Sequence, residues 1–501
     1  MSAAESFDAI IIGSGQAGKP LAADLASAGW ATALIEREHV GGTCVNVGCT
    51  PTKTMVASAR VAYLARRAGD YGVRAPNVSV DMTAVRAIKR AIVERFGNYS
   101  TDKLERTKNL SLLFGTASFI DAATVEVKLN DGGSRRLSAG KIVINTGGRP
   151  LLPPIPGLAS VPYLDSTSVM ELAEVPQHLV VIGGGYIGLE FGQMYRRFGS
   201  EVTIVQRGAR LVEREDLDVS DAVRKIFEED GIRVDTDSAV ARVERNDAGN
   251  ITVHYQCEGC ARSVTGSHLL VAIGRKPNTE SLSLSAAGVA VDKSGFVIVD
   301  STLQTTVAGI YALGDVKGGP AFTHISYDDY RIVRDRWLHT LNARLGDRLV
   351  PNTTFIDPQL AQVGLNETEA RKRGLDIRIA KMGMNGVARA VEMNESRGMI
   401  KVIVDAKTDQ ILGCTVLGIE GGEIMSMLQI AMMGKLPYTA LKEAIFAHPT
   451  LAEGLNNVFL TLDSEPDQQR TVMMPTDATR SQAMAARRVA VLPADSSVRA
   501  R

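Results

Sequence analysis

The sequence predicts an α/β protein in which two similar strand–turn–helix–strand units precede a smaller α+β domain. Three observations predict it. Residues 7–12 read as a short apolar strand, Gly13-Ser-Gly15-Gln-Ala-Gly18 as a turn, residues 20–28 as an amphipathic helix and residues 31–36 as a second strand. The pattern recurs, with a strand at 179–182, the turn Gly183-Gly-Gly185-Tyr186-Ile-Gly188, a helix at 189–198 and a strand at 201–206. From about residue 352 the texture changes. Strand-like 398–404 and 411–417 lead into a Met-rich helical run at 423–434, which reads as core or subunit interface.

The intervening segments set the expected boundaries. Proline-rich 150–156 marks a crossing out of the first unit, and Ile310-Tyr-Ala-Leu-Gly314-Asp315 closes a segment assigned back to it. The expected division is 1–150 for the first unit, 151–275 for the second, 276–348 for a return to the first, and 349–463 for the α+β domain. Residues 464–501 lack clear periodicity and are expected to be a disordered tail.

Composition excludes several classes. The 501 residues carry zero formal net charge, 22% charged and 45% hydrophobic residues, so nothing points to nucleic acid or an anionic membrane surface. No apolar run approaches the roughly 20 residues a membrane helix requires, and the acidic start does not read as a signal peptide. Five cysteines in so long a chain do not make a disulfide scaffold. They fit a reducing compartment, the cytoplasm, with one unusual pair given a chemical task.

In each glycine turn the backbone is free to approach a pyrophosphate, and the helix start stabilises its charge. An acid at the end of the second strand then receives a ribose diol. In the first unit that position is Glu36. The same offset in the second gives Gln206, followed by Arg207 and Arg210. A carboxylate repels a 2′-phosphate and a guanidinium pairs with it. The first site therefore suits an unphosphorylated adenosine ribose, such as that of FAD, and the second suits NADPH better than NADH. The alternative is that Arg207 and Arg210 are ordinary surface charges.

Gly41-Gly42-Thr43-Cys44-Val-Asn-Val-Gly48-Cys49-Thr-Pro51-Thr-Lys53 follows the first unit. Residues five apart on a regular helix are too distant for a disulfide, so this segment must be irregular. Gly48 permits unusual backbone, and Pro51 is expected to disturb a helical ladder. A helix start nearby would lower a thiolate pKa. The alternative is a pair of structural thiols. Cys257-Glu-Gly-Cys260 is read as free thiols in a hairpin turn, with an incidental disulfide or half a metal site as the less favoured readings. Cys414 is read as packing in a buried strand. No resident metal site is expected.

These segments, with Asn145-Thr-Gly147-Gly-Arg-Pro150, Ala272-Ile-Gly274-Arg-Lys-Pro277 and His448-Pro-Thr-Leu-Ala-Glu453, resemble the flavin-dependent pyridine nucleotide–disulfide oxidoreductases over roughly residues 6–463. That family includes glutathione reductase, dihydrolipoamide dehydrogenase and mercuric reductase. The resemblance implies two Rossmann-like domains, for FAD and NAD(P), and a C-terminal dimerisation domain. It assigns Gly13, Gly15, Gly18, Glu36, Gly42, Thr43, Lys53, Gly147, Gly274 and Asp315 to cofactor binding, with Gly115 beside the adenine. Gly183, Gly185, Tyr186 and Gly188, with Arg207 and Arg210, fall to the nicotinamide nucleotide. Lys53 and Glu190 would pair beside the flavin. Hydride would pass from NAD(P)H to FAD, then to a Cys44–Cys49 disulfide, then to a small disulfide or a soft metal ion. Cys49 would face the flavin and Cys44 the substrate. His448, oriented by Glu453, would serve Cys44 as acid–base from the partner subunit of a homodimer; an imidazole, titrating near neutrality, suits that task.

The acceptor divides the family. Typical mercuric reductases end in a vicinal cysteine pair and lack His-Pro-Thr-x-x-Glu, whereas here residues 495–501 hold no cysteine and the His448 motif is present. The sequence around Phe322-Thr-His-Ile-Ser-Tyr looks more like the mercuric-reductase-like branch that includes reactive-chlorine-resistance flavoproteins. The readings kept are a small-disulfide reductase, a Hg(II) or Cu(II) reductase, a dihydrolipoamide dehydrogenase-type subunit of a multienzyme complex, and a flavin diaphorase that reduces quinones without the cysteines.

Overall fold

The computed structural model of the protein describes residues 4–463 apart from 258 and 347; the expected tail lies outside the described residues. The first unit is built on a sheet of order Glu5–Phe7, Ser134–Ala139, Thr124–Leu129, Leu110–Phe119, Thr32–Glu36, Ala9–Ile12, Ile142–Ile144 and Ile310–Ala312. The last five strands in this order run parallel. Such strands are covered on both faces, hence their unbroken apolar runs. Ile10, Ile12, Ile35, Ile142 and Ile144 face the antiparallel strands through Val125, Val127 and Leu137. Ile11, Leu34 and Val143 face the helix Gly18–Ser27 through Leu21 and Leu25. The strand expected over 7–12 is interrupted at Asp8, whose carboxylate accepts from the Ala31 N–H at 2.8 Å.

The second unit is a parallel sheet of order Arg233–Asp235, Glu201–Val205, His178–Ile182, His268–Val271 and Tyr163–Leu164. Helix Tyr186–Phe198 packs on it, with Leu189, Phe191 and Tyr195 buried. An antiparallel layer of Ser238–Arg245, Ile251–Cys257 and Cys260–Gly266 covers the other face through Val243, Val253 and Tyr255. The chain passes between the two units on a ribbon in which Gly148–Pro150 pairs antiparallel with Arg275–Pro277.

The C-terminal region is an antiparallel sheet of order Asn352–Thr354, Gln359–Gly364, Ile411–Gly418, Met399–Asp405 and Ile377–Gly383. Helix Gly421–Met433 lies on it through Ile424, Met425 and Leu428. The methionine run is thus divided: Met425 is core, whereas Met433 is 68% exposed. Cys414 is buried in its strand, as read from the sequence.

Polar clusters fix this region to the other two. Buried Asp357 accepts from Arg60 and Arg197, drawn from helices of the first and second units. Lys401, 3% exposed, reaches Asp216 at 3.0 Å, Asp218 at 3.1 Å and Glu367 at 2.8 Å.

Candidate functional site

The cysteine segment folds as two helices, Gly42–Asn46 and Cys49–Arg66, broken at Val47 and Gly48. A Cβ on Gly48 would lie 2.8 Å from the Thr43 carbonyl oxygen and 3.3 Å from the Cys44 Cα. Only a residue without a side chain lets the chain double back this closely, and the doubling brings the two thiols together. Both are free and hydrogen-bonded to each other. Pro51 corrects the expectation placed on it. It occupies the first turn of helix Cys49–Arg66, where backbone N–H groups have no partner within the helix, so it helps to start the helix rather than disturb it.

The two thiols differ sharply. The hydrogen bond from Cys44 is the largest influence on Cys49 and pulls its pKa down to about 6; burial opposes this, and Thr323 and Lys53 reinforce it. The Thr323 hydroxyl lies 3.3 Å from the Cys49 Sγ. Cys44 is pushed well above the ordinary thiol range, first by the same hydrogen bond and then by burial. Cys49 therefore holds the negative charge and Cys44 the proton. Cys49 is also the more exposed of the two.

Lys53 lies one turn along the same helix, and its Nζ reaches the Glu190 Oε2 at 2.7 Å. Glu190 comes from helix Tyr186–Phe198, is 7% exposed, and accepts the Phe355 N–H at 2.7 Å through its other oxygen. The Lys53 ammonium also sits over the Phe355 ring, 4.9 Å from its centroid. One charge pair thus ties together the three regions of the chain around the thiols.

The first glycine turn fits a dinucleotide. A Cβ on Gly18 would fall 2.0 Å from the Gly13 carbonyl oxygen, and one on Gly42 would fall 2.8 Å from the Gly15 Cα. Two backbones therefore meet in a cradle that side chains would fill. Helix Gly18–Ser27 has no side-chain cap at Ala17, and the partial positive charge of its start meets the turn, which suits a pyrophosphate. Glu36 Oε2 accepts from the Ser14 N–H at 3.0 Å and its hydroxyl at 2.6 Å. Gly147 lies beside Thr43, 4.0 Å from the Oγ1 to the Cβ it would carry. Asp315 follows Gly314, whose N–H is held by Asp329 at 2.9 Å; burial raises the Asp315 pKa, with Arg275 and Lys317 opposing. Gly115 has a packing reason for being glycine, since a Cβ would lie 2.4 Å from the Lys128 carbonyl oxygen across the strand pair.

The second turn repeats the geometry with a different charge. A Cβ on Gly188 would lie 2.1 Å from the Gly183 carbonyl oxygen, while one on Gly185 would meet nothing within 4 Å. Tyr186 opens the following helix, and burial raises its pKa. The Gln206 Oε1 accepts the Gly184 N–H at 2.8 Å, as Glu36 accepts that of Ser14. The turn is thus held by a neutral amide. Arg207 is exposed, and Arg210 donates to the Glu213 carbonyl oxygen at 3.5 Å. Gly274, at φ +142°, lies in the adjoining segment, where a Cβ would again meet nothing within 4 Å.

His448 stands apart. Its Nδ1 lies 2.9 Å from the Glu453 Oε2, and 65% of its side chain is exposed. Among the described residues its hydrogen bonds do not reach Cys44 or Cys49 of the same chain.

Three participants escaped the sequence reading: Thr323 beside the Cys49 thiol, Phe355 beside the Lys53–Glu190 pair, and Asn145 as a polar tie. The Asn145 Oδ1 accepts the Gly18 N–H at 2.9 Å and its Nδ2 donates to the Leu313 carbonyl oxygen at 2.8 Å. Asn145 opens a segment already singled out at 145–150, which was the available signal. Nothing local marks Phe355, which arrives from the C-terminal region.

Comparison with known proteins identifies the family. The pyridine nucleotide-disulphide oxidoreductase family model matches residues 7–329, and the model of that family's dimerisation domain matches residues 350–459. The chain is 39% identical over 459 residues to the probable pyridine nucleotide-disulfide oxidoreductase RclA of Escherichia coli K12, covering 90% of this chain and 98% of that protein. It is 36% identical to a mercuric reductase of Lysinibacillus sphaericus, covering 92% of this chain and 83% of that one. A solved Cu(II) complex of the HOCl-induced flavoprotein disulfide reductase RclA from Escherichia coli superposes with a TM-score of 0.83 at 37% identity, over 91% of this chain and all of that one.

Proposed function

The chain belongs to the pyridine nucleotide-disulphide oxidoreductase family, and on that premise we propose that Cys44 and Cys49 carry electrons from its flavin to a small disulfide or a soft metal ion. The enzyme is an FAD-dependent NAD(P)H oxidoreductase. The observation that carries the proposal is the broken helix that joins one thiol to one thiolate next to the Lys53–Glu190 pair.

FAD, when bound, supplies the two-electron carrier between nicotinamide and dithiol. Gly13, Gly15, Gly18, Glu36, Gly42, Thr43, Gly147 and Asp315 would hold it, and Gly115 would lie by the adenine. The flavin would cover the exposed side of Cys49 and leave Cys44 for the substrate. Lys53, fixed by Glu190, places a positive charge there. Gly183, Gly185, Tyr186, Gly188 and Gly274 would receive the nicotinamide nucleotide. Neutral Gln206 and the cations Arg207 and Arg210 support NADPH over NADH.

With a disulfide substrate, a base removes the Cys44 proton and the Cys44 sulfur attacks one substrate sulfur. That bond forms as the substrate S–S bond breaks, and the leaving sulfur takes a proton. The Cys49 thiolate then attacks the Cys44 sulfur and releases the second substrate sulfur. Cys44 and Cys49 end as a disulfide, two electrons poorer, and the substrate as one thiol and one thiolate, the latter taking its proton from solvent. His448, held by Glu453, would move the proton from the partner subunit. Exposed Ile430, Met433, Leu436 and Ile445 support a homodimer. A soft metal ion would instead be ligated by the two sulfurs, a reading supported by the mercuric reductases and the Cu(II) complex among the relatives.

The test is steady-state reduction of a panel: oxidised glutathione, lipoamide, Hg(II), Cu(II) and a quinone, each with NADPH and with NADH. Turnover with at least one disulfide or metal ion is expected to fall by about a hundredfold or more in Cys44→Ser. Full turnover of every acceptor by that variant would establish a diaphorase instead. NADPH is expected to show the lower KM.

A further inference from the structure

We propose that Cys257 and Cys260 form a second, oxidant-made disulfide that weakens nicotinamide nucleotide binding. The pair lies in the antiparallel layer of the second unit, at the end of the hairpin between strands Ile251–Cys257 and Cys260–Gly266. The register sets Cys257 directly opposite Cys260, and Gly259 in the turn has φ +76°. Opposed residues on antiparallel strands have Cα atoms about 4.5–5.5 Å apart, inside the roughly 4.4–6.8 Å that a disulfide spans. Their side chains project from the same face of the ribbon. Both thiols are free, Cys260 exposed and Cys257 buried.

A peroxide is the class of oxidant required. The exposed Cys260 sulfur attacks one peroxide oxygen, the O–O bond breaks, and a sulfenic acid and one water result. The Cys257 thiol then attacks the Cys260 sulfur, forming the S–S bond, and the hydroxyl leaves as a second water. Two thiols are oxidised by two electrons, and one peroxide is reduced to two waters.

The consequence follows from what Cys257 holds. Its thiol donates to the Thr236 carbonyl oxygen at 3.7 Å, a bond that a disulfide removes, leaving that oxygen the Ser238 hydroxyl at 2.9 Å. Thr236 sits among residues that fix the turn after strand Glu201–Val205. The Gln206 N–H donates to the Asp235 carbonyl oxygen at 2.8 Å, the Asp237 N–H to that of Gly208 at 2.9 Å, and the Ser238 N–H to that of Gln206 at 2.9 Å. Gln206 in turn holds Gly184 of the glycine turn. Oxidation therefore loosens the end of the site that would take the adenosine ribose. This consequence rests on the proposed nicotinamide site; formation of the disulfide does not.

The full-length flavin-loaded enzyme is treated with hydrogen peroxide, freed of it, alkylated when unfolded and digested with trypsin. Residues 246–262 form one tryptic peptide that contains both cysteines. The peptide is expected to resist alkylation and to weigh two hydrogens less than its reduced form. The KM for NADPH is expected to rise about fivefold, as for loss of one hydrogen bond. Cys260→Ser is expected to keep its KM under the same treatment. Full alkylation of both cysteines after peroxide overturns the proposal, and so does a disulfide that leaves the KM unchanged. Untreated enzyme that oxidises neither NADPH nor NADH would instead refute the proposed function, since the peptide mass is read without turnover.

Discussion

At the scale of single residues, the division of charge between Cys44 and Cys49 is the most consequential feature. Cys49 begins a helix and accepts hydrogen bonds from Cys44 and Thr323, so it ionises at about pH 6. Its thiolate is expected to persist down to that pH in the reduced enzyme and to be lost below it. The absorbance of the thiolate against bound flavin, followed from pH 8 to pH 5, checks this. Thr323→Val removes a hydrogen bond that favours the charged form, and is expected to move the midpoint upward by about half a unit to one unit. An unchanged midpoint would mean that Thr323 does not hold the thiolate. The sequence made the pair itself legible, because the Gly48 break and the start of a helix follow from local residue types. Thr323 was not legible, because it lies 274 positions away and only tertiary packing brings it near.

At the scale of elements, the junction around residues 213–218 joins the second unit to the C-terminal region. Asp216 accepts the N–H groups of Glu367 and Thr368, both at 3.0 Å, at the start of helix Glu367–Lys372, while Lys401 neutralises the acids around it. Lys401→Met would leave Asp216, Asp218 and Glu367 without their shared cation and is expected to destabilise the fold by about 3–5 kcal/mol, measured by denaturant unfolding. Glu215 lies next to them, 2% exposed, with neither carboxyl oxygen hydrogen-bonded among the described residues. Burial, then Asp216 and Glu369, raises its pKa to about 7. The folded value is above the unfolded one. The stability it contributes is therefore fully present below about pH 4 and lost as pH rises toward 7. Glu215→Gln is expected to change stability little at pH 5 and to gain up to about 3 kcal/mol relative to the parent at pH 8. A gap that does not vary with pH would contradict the assignment. Element types were legible from apolar periodicity, as in the paired strands around the two glycine turns. The junction was not: nothing local in the sequence marks its acids, and only burial between two regions gives them consequence.

At the scale of the whole molecule, a single chain is an incomplete site in this account. His448 and Glu453, the proposed proton-handling pair, hydrogen-bond to each other, and their hydrogen bonds stay away from the thiols of the same chain. The proposed homodimer supplies the missing half. Enzyme in which Cys44→Ser and His448→Gln subunits are mixed is expected to recover about a quarter of the parent disulfide-reducing activity. Random pairing makes half of the dimers hybrid, and each hybrid holds one intact site. No recovery would place both groups in one subunit. The order of units and the crossing ribbon were legible because glycine turns and proline-rich links mark them locally. Placement of the C-terminal region against Lys53 through Phe355 was not, because that contact has no local signal.

The central claim is that electrons pass through Cys44 and Cys49, and anaerobic reductive titration tests it most directly. Two electron pairs per subunit are expected to be taken up with a chemical reductant. The first is expected to produce a long-wavelength thiolate–flavin absorbance while the flavin remains oxidised. Immediate bleaching of the flavin, complete after a single electron pair and with no such band, would contradict the account.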